Sequence, residues 1–254
     1  MTSHKLAKTI RGKGSPVVLI HGFLASSHYF CRLVPLLNAR NYQTIALDLL
    51  GSGKSPKPRI AHDYATYSNA ILRTLQSINI SKFTLVGHSM GALISLDFAR
   101  RHPEKVERIV LFNPPIFENF EQADAEFRSS GRIYQAFLYS PWRKFFWRVT
   151  KIFGFATYAH HRNRAAINLL DIVRTSHAAR ATSYKNIILN SSFFYLVNKV
   201  SSPITLIVGA KDRAIYRENL KKHKLPSNVK LKIVDSDHHL IAKSPELACS
   251  LIAS

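Results

Sequence analysis

Phe83-Thr84-Leu85-Val86-Gly87-His88-Ser89-Met90-Gly91-Ala92-Leu93-Ile94-Ser95-Leu96-Asp97-Phe98-Ala99-Arg100 is the stretch that decides the fold. The apolar run Phe83 to Val86 predicts a buried strand, and Ala92 to Arg100 has helical spacing. Between them Gly87 to Gly91 reads G-x-S-x-G. A sharp strand-to-helix turn there strains the serine backbone and lifts its hydroxyl clear of the sheet. The flanking chain crowds at such a turn and leaves no room for a Cβ, so glycine is required on either side. The helix that follows turns its unpaired N–H groups toward the same point, where they favour negative charge. Ser89 is therefore the candidate nucleophile.

The same alternation extends outward in both directions. Val17 to Ile20 is a continuous apolar run, followed by a helical stretch near Tyr29 to Ala39. Tyr42 to Leu47 predicts the next strand, ending at Asp48. Tyr64 to Asn79 is amphipathic, with Tyr67, Ala70, Ile71, Leu75 and Ile78 at helix spacing. Val106 to Phe112, Ile204 to Val208 and Val229 to Val234 read as further strands, and Pro245 to Ile252 as a last helix. Lys5 to Ile10 suggests an antiparallel edge strand. Apolar strands alternating with helices imply an α/β fold with a mostly parallel central sheet, covered by helices on both faces.

From Pro114 to Lys199 the strand signal disappears. Helical stretches recur there, with breaks at Gly131, Pro141 and Gly154. The expected organisation is a core of residues 1–113 and 200–254, with a helical cap at 114–199. Such an insertion would sit over the C-terminal edge of the sheet, where open α/β sheets place their ligands. Its segment from Tyr139 to Phe153 mixes aromatics with Arg and Lys. Either the aromatics pack on the core while the cations are solvated, or the segment rests on an anionic membrane surface. Trp142 and Phe146 are candidates to line an acyl pocket.

Composition bounds the function. The 254 residues suffice for one sizeable α/β domain with an insertion. Thirty-six Lys and Arg against fifteen Asp and Glu give a formal charge of +21. Such a field attracts anions and allows weak association with an anionic membrane or nucleic acid. No nucleic-acid-binding motif is present, so no specific nucleic-acid partner is expected. Cys31 and Cys249 form no metal or redox pattern and suit a reducing compartment. The basic stretch Met1 to Gly14 is not followed by an apolar signal region, so no signal peptide or membrane span is expected and the location expected is cytoplasmic. The histidines lack H-E-x-x-H spacing, so neither metal nor other cofactor is expected.

A nucleophilic serine needs a base, and the base an orienting acid. Asp212 follows the strand Ile204 to Val208, and His238 follows the strand Val229 to Val234. Both would lie on the sheet edge that carries Ser89. His239 is an alternative base, and Asp235 and Asp237 are alternative acids, though both lie close in sequence to the histidines.

With these residues in place the chain resembles the α/β-hydrolase superfamily, in its serine esterase and lipase branch. The resemblance rests on His21-Gly22-Phe23, on Asp48-Leu49-Leu50-Gly51-Ser52-Gly53-Lys54-Ser55, and on Gly87 to Gly91. It continues through Gly209 to Asp212 and to His238, with Pro245 seven residues on. That spacing favours His238 as the base, although Asp237 stands where the family pattern usually has glycine. The resemblance implies an oxyanion hole made by the backbone N–H groups of Phe23 and Met90, whose side chains would also line the pocket. It implies structural roles for His21, His88 and Asp48. A serine at position 89 argues against the haloalkane dehalogenase and epoxide hydrolase branches, which call for aspartate. Ester hydrolysis of a small-molecule substrate with a small or medium acyl chain is the leading expectation. C–C bond cleavage, thioester hydrolysis, acyl transfer or a non-catalytic ligand-binding role are the alternatives.

Overall fold

A computed structural model of the chain describes residues 4–129, 145, 148–149, 170–190 and 192–254. Among these residues seven strands form one sheet: β1 (Lys8–Arg11), β2 (Ser15–Ile20), β3 (Tyr42–Leu47), β4 (Phe83–His88), β5 (Val106–Phe112), β6 (Ile204–Gly209) and β7 (Val229–Val234). Their order is β1-β3-β2-β4-β5-β6-β7. Every pairing is parallel except β1 with β3, so the expected antiparallel edge strand is present, shifted to Lys8–Arg11. The chain leaves β2 for β3 on one side and returns to β4 on the other. That reversal opens a crevice above the carboxyl ends of β2 and β4, the usual ligand position in open α/β sheets.

Helices cover both faces. On one face α2 (Tyr64–Gln76), α3 (Met90–Arg101) and α7 (Ala214–Lys222) pack Tyr67, Ile71, Leu93 and Tyr216 against Val18, Ile20, Leu85 and Leu206. On the other, α1 (Leu33–Ala39) and α8 (Pro245–Ala253) pack Leu33, Leu37, Ala248 and Ile252 against Val17, Leu19, Val86 and Ile207. Successive strand residues point to opposite faces, and here both sets are apolar. This is why these strands read as continuous apolar runs. The edge strand β7 departs from that pattern: Leu231 and Ile233 are exposed, at 38% and 55%. Lys230 and Lys232 alternate with them, and charged side chains on an edge discourage pairing with another chain.

Helix α2 begins where the Asp63 carboxylate accepts the Thr66 N–H at 2.8 Å, and it stops at Gln76, short of the expected Asn79. Asn79 itself takes a left-handed φ of 55°, which a continuing helix does not allow. Between Pro114 and Lys199 the described residues contain α4 (Phe120–Ser129), α5 (His177–Ser183), a π-helical turn (Tyr184–Ile188), α6 (Phe193–Val197) and no strand. The π turn and α6 bury Ile187, Phe193 and Leu196 in the same apolar layer as α3. Both cysteines are free, Cys31 exposed and Cys249 buried. No helix among the described residues is long and apolar enough to cross a membrane.

Candidate active site

Ser89 sits between β4 and α3 with φ 54° and ψ −124°, a conformation rarely adopted by a residue with a side chain. Two hydrogen bonds hold it there. Its N–H donates to Phe112 O on β5, and its carbonyl accepts the Ala92 N–H, each at 2.9 Å. The neighbouring glycines answer to close approach. A Cβ on Gly91 would stand 2.4 Å from the carbonyl oxygens of Ile20 and His21, and one on Gly87 would stand 2.6 Å from Ala92 Cα. The turn therefore fits only without side chains at both positions.

The sheet register brings the other ends to this point. Gly87 is level with Leu111, Phe112 with Ile207, and Gly209 with Val234, so the loops after β4, β6 and β7 share one edge. There His238 Nε2 lies 3.0 Å from Ser89 Oγ, and His238 Nδ1 lies 2.8 Å from Asp212 Oδ2. The Asp212 side chain is buried, while that of His238 is about one-third exposed. The second Asp212 oxygen accepts the Arg213 N–H at 2.8 Å. With Nδ1–H donating to the carboxylate, Nε2 is left as an acceptor facing the serine hydroxyl.

The rival residues face elsewhere. Asp235 pairs with Lys211 at 2.8 Å. Asp237 accepts the His239 N–H at 2.9 Å and pairs with Lys243, whose ammonium holds its carboxyl below the usual range. His239 meets His238 edge to face, with ring centroids 5.5 Å apart, and hydrogen-bonds to neither Ser89 nor Asp212. Burial, and the charge His238 would carry, depress its pKa.

A buried frame supports this line. The wholly buried His21 donates from Nδ1 to Gly22 O at 2.8 Å, and its Nε2 accepts the Leu49 N–H at 3.0 Å, tying the loop after β2 to the loop after β3. Asp48 accepts the N–H groups of Ser27 (2.7 Å) and Lys54 (2.8 Å), anchoring both loops. His88 Nε2 lies 2.8 Å from the His238 carbonyl, an acceptor only, so this nitrogen carries the proton. Tyr29 stacks on the His88 ring, with centroids 4.5 Å apart. Burial, first, and then the neighbouring His238 imidazole push the His88 pKa well down.

Asn113, directly after β5, completes the frame, and no motif in the sequence points to it. Its Nδ2 donates to the carbonyls of Asp237 and His238 at 3.0 Å each, and its Oδ1 accepts the Gly209 N–H at 2.7 Å. It thus fastens the end of β6 to the loop that follows β7. The available signal was a polar residue at the carboxyl end of a buried strand. Asn113 has a left-handed φ of 49°, so glycine is the substitution that preserves the backbone. Asn113→Gly is expected to cost about 3 kcal/mol of stability, from three hydrogen bonds at about 1 kcal/mol each, and to lower kcat roughly tenfold by loosening His238. Urea unfolding and turnover of an activated ester measure the two effects. Wild-type values for both would remove Asn113 from the frame.

The sign of the pH dependence of stability follows from the buried histidines. Burial lowers the pKa of His21, His62 and His88 below 6.5 in the fold. Unfolded, each binds a proton at its ordinary value, so acid favours the unfolded chain. Their stabilising contribution is whole above pH 6.5 and is lost as the pH falls below it. Each can contribute up to about 1.4 kcal/mol per pH unit. Calorimetry between pH ~7.5 and ~5.5 should show Tm falling with acid, and a flat or rising Tm would contradict this.

A cavity of about 950 Å³ opens on Ser89 and His238, with Phe23, Tyr29, Phe127 and Tyr184 in its walls. Phe23 and Tyr184 face each other at 5.9 Å. Met90 corrects an expectation: its side chain is only 3% exposed and packs in the core instead of the cavity wall. Helix α3 is buried from Met90 through Ala99, so its first side chain is enclosed with the rest. The Met90 amide, as the first of the helix, has no intrahelical acceptor. Trp142 and Phe146 lie outside the described residues. Among the described residues no group of His, Cys, Asp or Glu is placed to hold a metal ion.

Residues 15–245 match the family model of the alpha/beta hydrolase fold, and the chain belongs to that family. An uncharacterized protein of Mycobacterium tuberculosis is 36% identical over 108 residues, 42% of this chain and 31% of its own length. The probable lysophospholipase BODYGUARD 4 of Arabidopsis thaliana is 36% identical over 107 residues, 40% of this chain and 25% of its own. The chain thus spans less than a third of the length of either relative. The solved esterase of Exiguobacterium antarcticum shares the fold with a TM-score of 0.72 at 21% identity, over 99% of this chain and 96% of that one.

Proposed function

We propose that this chain is a serine hydrolase that cleaves carboxylic esters with small or medium acyl groups through an acyl-enzyme. The observation that carries the proposal is the hydrogen-bonded line from Ser89 Oγ through His238 to Asp212, at 3.0 and 2.8 Å, opening on an aromatic-walled cavity. The name of the Arabidopsis relative, a probable lysophospholipase, also denotes ester cleavage.

In this reading Ser89 Oγ attacks the ester carbonyl while His238 Nε2 takes its proton. The Phe23 and Met90 N–H groups receive the oxyanion, each worth about 3 kcal/mol of barrier. Collapse breaks the C–O bond, and His238 protonates the departing alkoxide. Water, deprotonated by His238, then attacks the acyl-serine and frees the acid. Asp212 keeps the Nδ1–H tautomer in place and stabilises the imidazolium. Residues 114–199 would act as the cap that shapes the acyl pocket, with Trp142 and Phe146 in its wall. The two free thiols suit a cytoplasmic location. The charge of +21 supports a weak attraction to anionic surfaces. Co-sedimentation with anionic vesicles that does not weaken at high salt would count against it.

The test of the main proposal is turnover of p-nitrophenyl acetate, butyrate and octanoate, together with mass spectrometry after fluorophosphonate treatment. A single adduct on the Ser89 peptide and turnover above buffer are expected. Neither adduct nor turnover would leave a ligand-binding member of the fold as the better reading.

A further inference from the structure

Arg213 stands between the candidate acid Asp212 and helix α7. Its backbone is held at both ends. The N–H donates to Asp212 Oδ1 at 2.8 Å, and the carbonyl accepts the Tyr216 N–H at 3.2 Å. Its side chain reaches across to α4. There Nη1 donates to Glu126 Oε1 at 2.5 Å, and the guanidinium carbon lies 4.8 Å from the centroid of the Phe127 ring. Arginine can make both contacts with one group, because its planar cation meets a carboxylate at the edge and an aromatic ring at the face. The Arg213 and Glu126 side chains are both partly exposed, so the latch is a modest one.

Phe127 begins a row of rings along the cavity. It meets Tyr184 edge to face at 5.6 Å, and Tyr184 meets Phe23 at 5.9 Å. All three rings line the cavity that holds Ser89, and so does Arg213. The row therefore runs from the acid loop at one end to the loop after β2 at the other. Its members come from three separate segments: α4, the π-helical turn and the β2 loop. Phe117 backs the row, with centroids 5.8 Å from Phe127 and 5.2 Å from Tyr216. We propose that Arg213 is a positioning residue for substrate specificity: it latches Phe127 to the acid loop and so fixes an aromatic wall on which one aliphatic limb of the ester packs. The proposal rests on the ester-hydrolase reading and narrows it. A limb that meets rings already in place keeps the full gain of leaving water. A limb that must first order them gives part of that gain back.

The test uses two series of esters. One lengthens the acyl limb through p-nitrophenyl acetate, butyrate and octanoate. The other lengthens the alcohol limb through ethyl, butyl and hexyl acetate, followed by titration of released acid. In the wild type kcat/KM should rise along one series, by about three- to fourfold for each methylene that reaches the wall. Arg213→Met keeps an unbranched side chain but neither pairs with Glu126 nor stacks as a cation. It should lower the ratio of the longest to the shortest ester in that series by roughly threefold to tenfold, mainly through KM. Glu126→Gln should lower the ratio in the same direction, and the double variant no further than Arg213→Met alone. Arg213→Lys should fall between wild type and Arg213→Met, since it keeps the ion pair and loses the planar stack. A role in stability alone would lower the rates on all esters together and leave the ratio unchanged. Flat kcat/KM along both wild-type series, a ratio in Arg213→Met that stays at the wild-type value or rises, or additive losses in the double variant would each overturn the inference. Glu126→Gln decides the matter if Arg213→Met fails to fold. Turnover with an unchanged ratio overturns this inference alone, whereas no turnover on any ester and no fluorophosphonate adduct would overturn the ester-hydrolase reading with it.

Discussion

Ser89→Ala is expected to lower kcat on a p-nitrophenyl ester by roughly 10⁵-fold or more. Only what the oxyanion donors and binding supply would remain. The effect is this large because nucleophile and base act as a unit: with the hydroxyl gone, His238 has no proton to take. The same position makes a second, opposite prediction about stability. Ser89 holds φ 54° and ψ −124° against the preference of any residue with a Cβ. Alanine keeps that strain, whereas glycine does not. Ser89→Gly should therefore be more stable than Ser89→Ala by about 1–2 kcal/mol, with both inactive. Chemical unfolding of the pair measures the difference. Equal stability would mean that the turn is not strained, and turnover of Ser89→Ala near the wild-type rate would place the chemistry elsewhere.

His238→Ala is expected to reduce kcat by a comparable factor, roughly 10⁵-fold, while His239→Ala reduces it less than about tenfold. The two residues are adjacent and chemically identical, so the contrast isolates geometry. His238 Nε2 stands 3.0 Å from Ser89 Oγ with its other nitrogen on Asp212, whereas His239 has neither contact. Only the former can exchange a proton with the serine while its tautomer is held. Circular dichroism should report folded protein for both variants. The reverse order of effects would assign the base to His239 and require the loop after β7 to rearrange in the working enzyme.

Much of the fold was legible from local pattern. Buried parallel strands need apolar residues on both faces, so Val17 to Ile20 and Val106 to Phe112 stand out in one dimension. At β7 the strand read from Val229 to Val234 is present, but Leu231 and Ile233 are exposed among the described residues, because β7 is the last strand of the sheet. The turn at Ser89 was legible because close approach forbids a Cβ on Gly87 and Gly91. Asn113 was not legible. It belongs to no periodic pattern, and its partner Gly209 lies 96 positions away in the chain.

What the sequence determined by itself is the order of strands and helices, the strained serine turn, and which residue types stand at the strand ends. These depend on local sterics and on the burial pattern of each segment. The tertiary structure decided which histidine faces Ser89, that Asp212 and not Asp235 or Asp237 meets it, and that Met90 turns into the core. Hydrogen bonds form only within about 3 Å and along defined directions. Such positions are set by the paths of loops packed together from distant parts of the chain, which no local pattern encodes.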